Sequence, residues 1–280
     1  LQAGVQVRGE GAHRTRIRGN PLFPLIQVGA PLAAPAVIPG TAGAGPIGAG
    51  AIGAAASAPL ETKLSHLTLL GARVGIEVFA PVTIEHVLIY EVEDGLHVAP
   101  AGDAAATFLT LTLATKRGAF VEGRLDLSNS IVTGNSIGLE CASGANFLSK
   151  HNAVADNLSL DRKGCLADET DLHVAPLFVD VAARDFRVVP GSATIDAGDP
   201  KLNPSEEPNP NGARVNLGAF GGTGQAATGG GQGDSSSRKT GGGYSFGCAL
   251  GREPSSPSSA LWLLLLAALL LPLRGRTQLP

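Results

Sequence analysis

Aromatic residues are scarce in this 280-residue chain, which contains one Trp and two Tyr and is 4% aromatic overall. Because many sugar-binding sites rely on stacked aromatic rings, this composition argues against a site built on such stacking. Charged residues are also few, at 16%, and the formal net charge is −3. A nucleic-acid-binding protein needs an excess of basic residues, so we expect no nucleic-acid partner.

Methionine is absent altogether, and Cys occurs three times. A complete translation product starts with Met, so we expect the chain to be a fragment or to have lost its N-terminus. Nothing in residues 1–20 resembles a signal peptide. No Cys or His residues stand at zinc-ligand spacing, so we expect no metal site of that kind. Long amphipathic helical patterns are missing as well, while Gly 38 and Pro 19 favour a protein of strands and loops.

One pattern is written twice between residues 65 and 100, at an offset of 20 residues. The matched pairs are His66 with His86, Leu67 with Val87, Leu69 with Ile89, Gly75 with Gly95, Ile76 with Leu96 and Val78 with Val98. Each copy has two runs of alternating apolar residues, separated by a glycine that we expect to take the positive φ of a corner. One unit cannot bury its apolar side alone, whereas stacked copies form a continuous interior. The pattern therefore predicts an all-β parallel β-solenoid.

The predicted organisation divides the chain into six parts. They are first coils at residues 1–28, an Ala-, Gly- and Pro-rich disordered loop at 29–59, about six coils at 60–190, a C-terminal cap at 191–223, a flexible linker at 224–247 and a hydrophobic, helical tail at 248–280. The cap is rich in Asp, Asn, Gly and Pro, and we expect it to end the stack and shield its last apolar layer.

Two polar patterns accompany the predicted coils. Asn135, Asn152 and Asn157 recur about one coil apart, and we interpret them as structural residues whose side chains bond to the backbone at corners. Four arginines lie near the start, namely Arg8, Arg14, Arg16 and Arg18. They predict an exposed sheet face, with a patch for an anionic ligand as the alternative.

The densest group of titratable residues lies in the second copy of the repeat. Glu91, Asp94 and His97 are its candidate catalytic residues, because sugar-cleaving enzymes use paired carboxylates and lyases use Ca²⁺-binding acids beside a base. No Lys or Arg occurs between Arg73 and Lys116. The spacing matches no catalytic motif, so a solvated polar edge is the favoured interpretation.

Acidic residues also cluster in two turns. They are Asp196 with Asp199, and Asp168 with Glu169 and Asp171. Both sets offer ligands for Ca²⁺, but acids in Gly- and Pro-rich turns usually accept hydrogen bonds from backbone amides. We therefore expect no cofactor, with Ca²⁺ as the alternative.

Residues 176–223 carry a specific resemblance. They contain PLFVD at 176–180, DFRVVPGSATIDAGDP at 185–200 and NGARVNLGAFGGT at 211–223. This order resembles the C-terminal cap of secreted bacterial right-handed β-helix proteins grouped as choice-of-anchor Q domains. The resemblance implies a right-handed parallel β-helix on an exported protein, and it supplies no reaction.

The C-terminal tail combines a Gly-Cys pair at 247–248, a polar spacer, an apolar run at 260–273 and two arginines. It resembles the myxobacterial C-terminal sorting signal, from which the final residues Thr-Gln-Leu-Pro depart. The resemblance implies that Cys248 is the anchoring residue, that a sorting protease acts there and that the tail contacts the membrane. An ordinary C-terminal membrane anchor is the alternative. In both cases we expect the solenoid outside, at the cell surface.

Cys141 and Cys165 are the other two cysteines. On an exported chain, a disulfide between them would join neighbouring coils and add about 3 kcal/mol of stability. Two buried free thiols are the alternative.

Two functions remain open. We expect a non-catalytic structural or adhesive protein that contacts extracellular polysaccharide or other surface components. The alternative is a carbohydrate-active enzyme, either a polysaccharide lyase or a glycoside hydrolase. The sequence lacks the Asn-Thr-Asp, Gly-His-Gly and Trp-Ile-Asp-His clusters of pectin-cleaving β-helix enzymes, which favours the first function.

Overall fold

Apolar side chains at alternate positions of short segments meet inside a stack of parallel strands. The structure, a computed structural model, describes residues 6–12, 14–29 and 62–229. In these ranges the chain forms strands and no helix, and its parallel sheets stack as a β-solenoid of about five turns. The predicted all-β solenoid is confirmed. The predicted loop and apolar tail lie outside the described residues, apart from the edges of the loop.

The strands are β1 (Gln6–Arg8), β2 (Arg16–Arg18), β3 (Pro24–Val28), β4 (Lys63–Leu70), β5 (Val74–Val78), β6 (Val82–Tyr90), β7 (Asp94–Val98), β8 (Asp103–Thr112), β9 (Arg117–Val121), β10 (Arg124–Ser128), β11 (Ile131–Thr133), β12 (Ile137–Cys141), β13 (Asn146–Lys150), β14 (Ala153–Val154), β15 (Leu160–Lys163), β16 (Phe178–Asp180) and β17 (Asp185–Val188). One sheet follows the path β1-β4-β6-β8-β10-β13, with β2, β11 and β14 attached. The second sheet follows β15-β12-β9-β7-β5-β3, and β16 pairs with β17 alone.

The repeat offset in the sequence is the register between β4 and β6. Leu67 pairs with Val87 and Leu69 with Ile89, and Val87 pairs in turn with Leu109 on β8. All five side chains are fully buried in one continuous core. Burying each such side chain contributes about 1.5–3 kcal/mol, so the stacked positions dominate the stability of the solenoid.

Gly75 and Gly95 do not form the corners predicted for them. They lie inside β5 and β7, and neither has a positive φ. Glycine is needed there for a different reason, since a Cβ atom on Gly75 would lie 2.6 Å from the carbonyl oxygen of Gly95. Successive coils approach each other too closely at this position for any side chain.

The corners are formed by residues with a left-handed backbone, which recur from coil to coil. The first corner row consists of His66, His86, Phe108, Asn129 and His151, with φ between 49° and 58°. The second corner row consists of Gly71, Glu91, Leu113, Gly134 and Asp156. Non-glycine residues are uncommon in this region of φ, so a coil accepts backbone strain wherever a residue other than glycine occupies one of these two rows.

Asparagine side chains join the coils. The Oδ1 atom of Asn135 accepts a hydrogen bond from the backbone N–H of Ala114 on the preceding coil at 3.0 Å. Asn157 repeats this contact one coil later, because its Oδ1 accepts from the N–H of Asn135 at 3.1 Å. At another corner, Asn152 Oδ1 accepts from the N–H of Ser130 at 2.9 Å. The predicted structural role of these asparagines is confirmed.

Residues 172–229, which we call the flank segment, run back along the side of the solenoid. The N–H of Gly218 donates to the carbonyl oxygen of Asn129 at 2.8 Å. Farther back, the ring of Phe186 lies 5.1 Å from the ring of Tyr90. The segment therefore contacts several coils in turn, as a second layer on one face.

The segment covers a second apolar surface, on the outside of the solenoid. That residues 191–223 also close the end of the stack stays a prediction. Leu88 and Tyr90 alternate with core residues of β6, so their side chains point out of the solenoid. They are nevertheless buried, because Phe186 and Phe220 of the flank segment pack against them.

About five coils lie between Lys63 and Lys163. After β15 the chain forms one more parallel bridge to the stack, between Ala153 and Leu172, and then continues as the flank segment. At the other end, β1 and β2 pair with β4, and β3 pairs with β5. Residues 6–28 therefore form the coil that precedes these.

Candidate functional site

The three candidate catalytic residues are held by different partners. Glu91 Oε1 accepts a hydrogen bond from Arg184 Nε at 2.6 Å, and Asp94 Oδ1 accepts one from Arg117 Nε at 2.6 Å. Glu91 lines an open cleft of about 540 Å³ that neither Asp94 nor His97 lines. The structure therefore places Glu91 in a cleft that the other two residues do not line, and it gives each of the two acids its own arginine partner.

His97 lies between two carboxylates from neighbouring coils. Its Nδ1 is 3.3 Å from Oε1 of Glu77, and its Nε2 is 2.8 Å from Oε2 of Glu122. The register of β5 with β7 places Glu77 directly opposite His97. On the next strand, the ring of Phe120 stacks on the imidazole with centroids 5.3 Å apart. We call Glu77, His97 and Glu122 the His97 cluster.

The contacts of the His97 cluster restrict its chemistry. Both ring nitrogens are occupied, so a substrate proton would reach the imidazole only by displacing a carboxylate. The second oxygen of Glu77 accepts a hydrogen bond from Gln27 Nε2 at 2.7 Å, and the Glu77 side chain is only 10% exposed. The cluster links strands β3, β5 and β7, and both ring nitrogens of His97 face a carboxylate.

Arg117 is the centre of a second group of charges. Its Nε and Nη2 atoms donate to the two oxygens of Asp94 at 2.6 and 2.9 Å. Its Nη1 lies 3.6 Å from Glu140 Oε2, and Lys163 Nζ donates to the other Glu140 oxygen at 2.8 Å. The hydrogen bonds to Asp94 raise the pKa of Arg117, so this guanidinium stays charged. Asp94 is thus a buried ion-pair partner, and it lacks the free carboxylate that catalysis requires.

His66 and His86 are adjacent in the first corner row, and their rings are tilted by 35° with centroids 4.8 Å apart. The pKa of His86 is lowered to about 4, mainly by burial and secondly by the charge of the neighbouring His66. His66 also lines an open cleft of about 430 Å³ together with Arg8, Lys63 and Glu85. Lys63 Nζ lies 2.7 Å from Glu85 Oε2, so one of the two positive charges that line this cleft is compensated.

The turn acids accept hydrogen bonds from the backbone, as the sequence favours. Asp168 Oδ1 accepts from the N–H two residues later at 2.9 Å, and Asp171 Oδ1 accepts from the N–H of Asn152 at 2.9 Å. Asp199 Oδ1 accepts from the N–H of Lys201 at 2.9 Å. Within the described ranges, no group of three or more His, Cys, Asp or Glu side chains is arranged to hold a metal ion.

Glu207 is a buried acid that no sequence pattern distinguishes. Its Oε1 accepts hydrogen bonds from the N–H groups of Asn216 at 2.8 Å and Gly222 at 2.6 Å. Its Oε2 is buried and has no hydrogen-bond partner among the described residues. Burial raises the pKa of Glu207, and it also raises the pKa of Asp196 nearby.

Sequence reasoning missed the two carboxylates around His97. Glu77 has a usable signal, because it precedes His97 by 20 residues, which is the repeat offset. Glu122 has none, since it follows β9 at 25 residues from His97, where the coil is longer. The sequence therefore identifies His97 but not the pair that holds it.

Cys141 and Cys165 are joined by a disulfide, with Cα atoms 5.0 Å apart. The bond connects the end of β12 to the loop after β15, which are on neighbouring coils. The structure thus adopts the first of the two alternatives left open by the sequence. Cys248 lies outside the described residues.

Comparison with protein families, curated proteins and solved structures gives no match for this chain. The part of the chain that the structure describes contains no helix long and apolar enough to cross a membrane. Function is therefore inferred from the contacts of the chain itself.

Proposed function

We propose that the chain is a non-catalytic protein of the cell surface whose solenoid contacts extracellular polysaccharide or other surface components. The separate ion pairs of Glu91 and Asp94 carry this proposal. A glycoside hydrolase needs two carboxyl groups free to act on one glycosidic bond, and a lyase needs a free base. Glu91, Asp94 and His97 offer neither arrangement, because each is held by its own partners.

Export and anchoring form the second part of the proposal. Residues 176–223 resemble the choice-of-anchor Q cap, and residues 247–276 resemble the myxobacterial sorting signal. On this proposal a processing protease acts at Cys248, and the tail holds the protein at the outer surface. The disulfide between Cys141 and Cys165 supports export, because disulfides persist mainly in oxidising compartments.

The residues behind the first resemblance have structural contacts in the flank segment. Arg214 Nη2 donates to the carbonyl oxygen of Ala197 at 2.9 Å. Asn216 Oδ1 accepts from the N–H of Asp196 at 2.8 Å. These contacts support a structural role for the motif, because they hold the flank segment in its fold. Such a role is expected of a cap in a non-catalytic protein.

A carbohydrate-active enzyme is the second candidate. The His97 cluster favours it, because two carboxylates flank one imidazole on the same sheet. A lyase or hydrolase of this kind would require substrate to displace Glu77 or Glu122 from His97. We expect a bound Ca²⁺ ion only if the protein is an enzyme of this kind.

The test is binding without cleavage by the full chain. The protein is incubated with neutral and acidic polysaccharides, and bound polymer and new reducing or unsaturated ends are measured with and without Ca²⁺. We expect binding to at least one polymer and no new ends. New ends that vanish in Glu91→Gln or His97→Gln but persist in the exposed control Lys163→Gln would establish the enzyme. If the protein bound none of the polymers, the proposed contact with glycans would be overturned.

A further inference from the structure

The flank segment and the first coils enclose an open cleft of about 340 Å³. Its floor is formed by Leu88, Phe186 and Phe220, all of them buried. The cleft depends on the return of the flank segment, because β2 of the first coil supplies one wall and residues 183–187 supply the other. Residues far apart in sequence thus share one surface.

Three guanidinium groups and one carboxylate stand on the rim of this cleft. They belong to Arg16, Arg184, Arg187 and Asp185. Arg187 Nη2 contacts Asp185 Oδ2 at 2.5 Å, and Arg184 Nε donates to Glu91 at 2.6 Å. Arg16 is exposed, and it forms no salt bridge among the residues that the structure describes.

The rim therefore carries an excess of positive charge. Three guanidinium groups against Asp185 and Glu91, the partner of Arg184, leave a net charge of +1 at the rim. Each guanidinium has five N–H donors, so one carboxylate partner does not exhaust Arg184 or Arg187. Arg16 has the largest unused capacity to donate hydrogen bonds to an anion.

The positive surface continues along the edge strand. Arg16 and Arg18 are alternate, exposed residues of β2, so their side chains leave the same side of the strand about 7 Å apart. Arg18 lines the neighbouring cleft. A row of this kind fits a polymer with repeated acidic groups better than a single small anion.

We propose that this arginine-lined cleft binds carboxylate groups of an acidic polysaccharide, with Arg16 as the principal contact. Guanidinium and carboxylate groups match as planar partners that form two parallel hydrogen bonds. The buried apolar floor excludes water from one side of such a pair, which strengthens it. The inference rests on the proposed function and adds the chemical class of the polymer.

Polygalacturonate and its fully methyl-esterified form are the matched ligands, because they share a backbone and differ only in free carboxylates. We expect the full chain to bind the acid form at least about tenfold more tightly than the ester, and Arg16→Gln to lose about three- to tenfold of that affinity. Arg124→Gln removes the same charge from an exposed site on β10 and should bind like the unaltered chain. Higher salt should weaken binding of the acid form.

Equal affinities of Arg16→Gln and Arg124→Gln, or equal binding of acid and ester, would overturn the assignment. Heparin binding without polygalacturonate binding would assign the cleft to sulfate and would also overturn it. Binding confined to neutral polymers would remove this inference and leave the proposed function in place. Circular dichroism of both variants confirms that each is folded.

Discussion

His86 combines a left-handed backbone with a ring enclosed by other rings. Its φ is 53°, and its imidazole lies between His66 and the stacked ring of Phe108, 4.7 Å away. Its Nδ1 is buried and has no hydrogen-bond partner among the described residues. Because a charged imidazole would lose its hydration here, the pKa of His86 falls to about 4.

Acid should destabilise the solenoid through His86. Between pH 6.5, the pKa of His86 in the unfolded chain, and about pH 4, its pKa in the folded chain, His86 binds a proton in the unfolded chain but not in the folded chain. The free energy of unfolding should therefore fall by roughly 3 kcal/mol as the pH drops from 6.5 to 4. His86→Phe should lose this part of the pH dependence, because Phe has no titratable group. The corner should accept Phe, since Phe108 occupies the equivalent position one coil later. Urea unfolding at several pH values measures the difference.

The pH dependence of stability must be compared between the unaltered chain and His86→Phe, because other groups titrate in the same pH range. Burial raises the pKa values of Asp196 and Glu207, so their contribution to stability increases as the pH falls. These two groups are common to both proteins and cancel in the difference. An identical pH dependence in His86→Phe would contradict the role assigned to His86.

Glycine shows what a sequence reveals at the scale of single residues and what it hides. The repeat identifies Gly75 and Gly95 as equivalent, and the structure places them opposite each other in β5 and β7. The requirement for glycine has two physical origins, a positive φ or a close approach of backbone, and both leave the same residue in the sequence. Only the structure distinguishes them, through the missing space for a Cβ atom on Gly75.

At the scale of the coil, Asn135 should be a costly residue to lose. It is fully buried, its Oδ1 accepts from Ala114 N–H, and its Nδ2 donates to the carbonyl oxygen of Leu111. Asn135→Ala leaves both backbone groups buried without these partners. We expect a loss of about 2–4 kcal/mol in the free energy of unfolding, measured by urea unfolding.

Asn146 is the matched control for this substitution. It is an exposed residue of β13, and Asn146→Ala should change stability by less than about 0.5 kcal/mol. A similarly small effect for Asn135→Ala would show that its hydrogen bonds between coils contribute little.

Coils are the elements that the sequence predicts best. The alternation of apolar residues gives the register of β4 with β6, since a slip of one residue would turn every core side chain outward. Glu122 escapes prediction because it lies in a corner, where coil length varies and the repeat offset fails. Of the candidate site, the sequence therefore identified only His97, although the repeat offset of 20 residues also relates Glu77 to it.

At the scale of the whole molecule, the flank segment could not be placed from the sequence. Arg184 and Glu91 are 93 residues apart, and no repeat relates them. Leu88 and Tyr90 point out of the solenoid and do indicate that something covers this face. The residues that cover this face are determined by specific packing, such as that of Phe186. No repeat in the sequence marks Phe186 for this position.

Surface retention is the prediction that concerns the complete molecule. Cys248→Ala should leave the solenoid folded but should release most of the protein from the cell surface, because the proposed anchor site is lost. The measurement is the distribution of the full chain between membrane fraction and medium, with Ser245→Ala as the neighbouring control. Unchanged retention in Cys248→Ala would refute the sorting hypothesis.

The disulfide has a further consequence for how the molecule comes apart. In a stack where each coil contacts mainly its neighbours, opening starts at an end and proceeds coil by coil. The bond between Cys141 and Cys165 fastens the last coil to the one before it. The coil at residues 6–28 has no covalent link to its neighbour in the described ranges, and pairing with β4 and β5 holds it. We therefore expect the last two coils to separate after the others, because the disulfide joins them covalently.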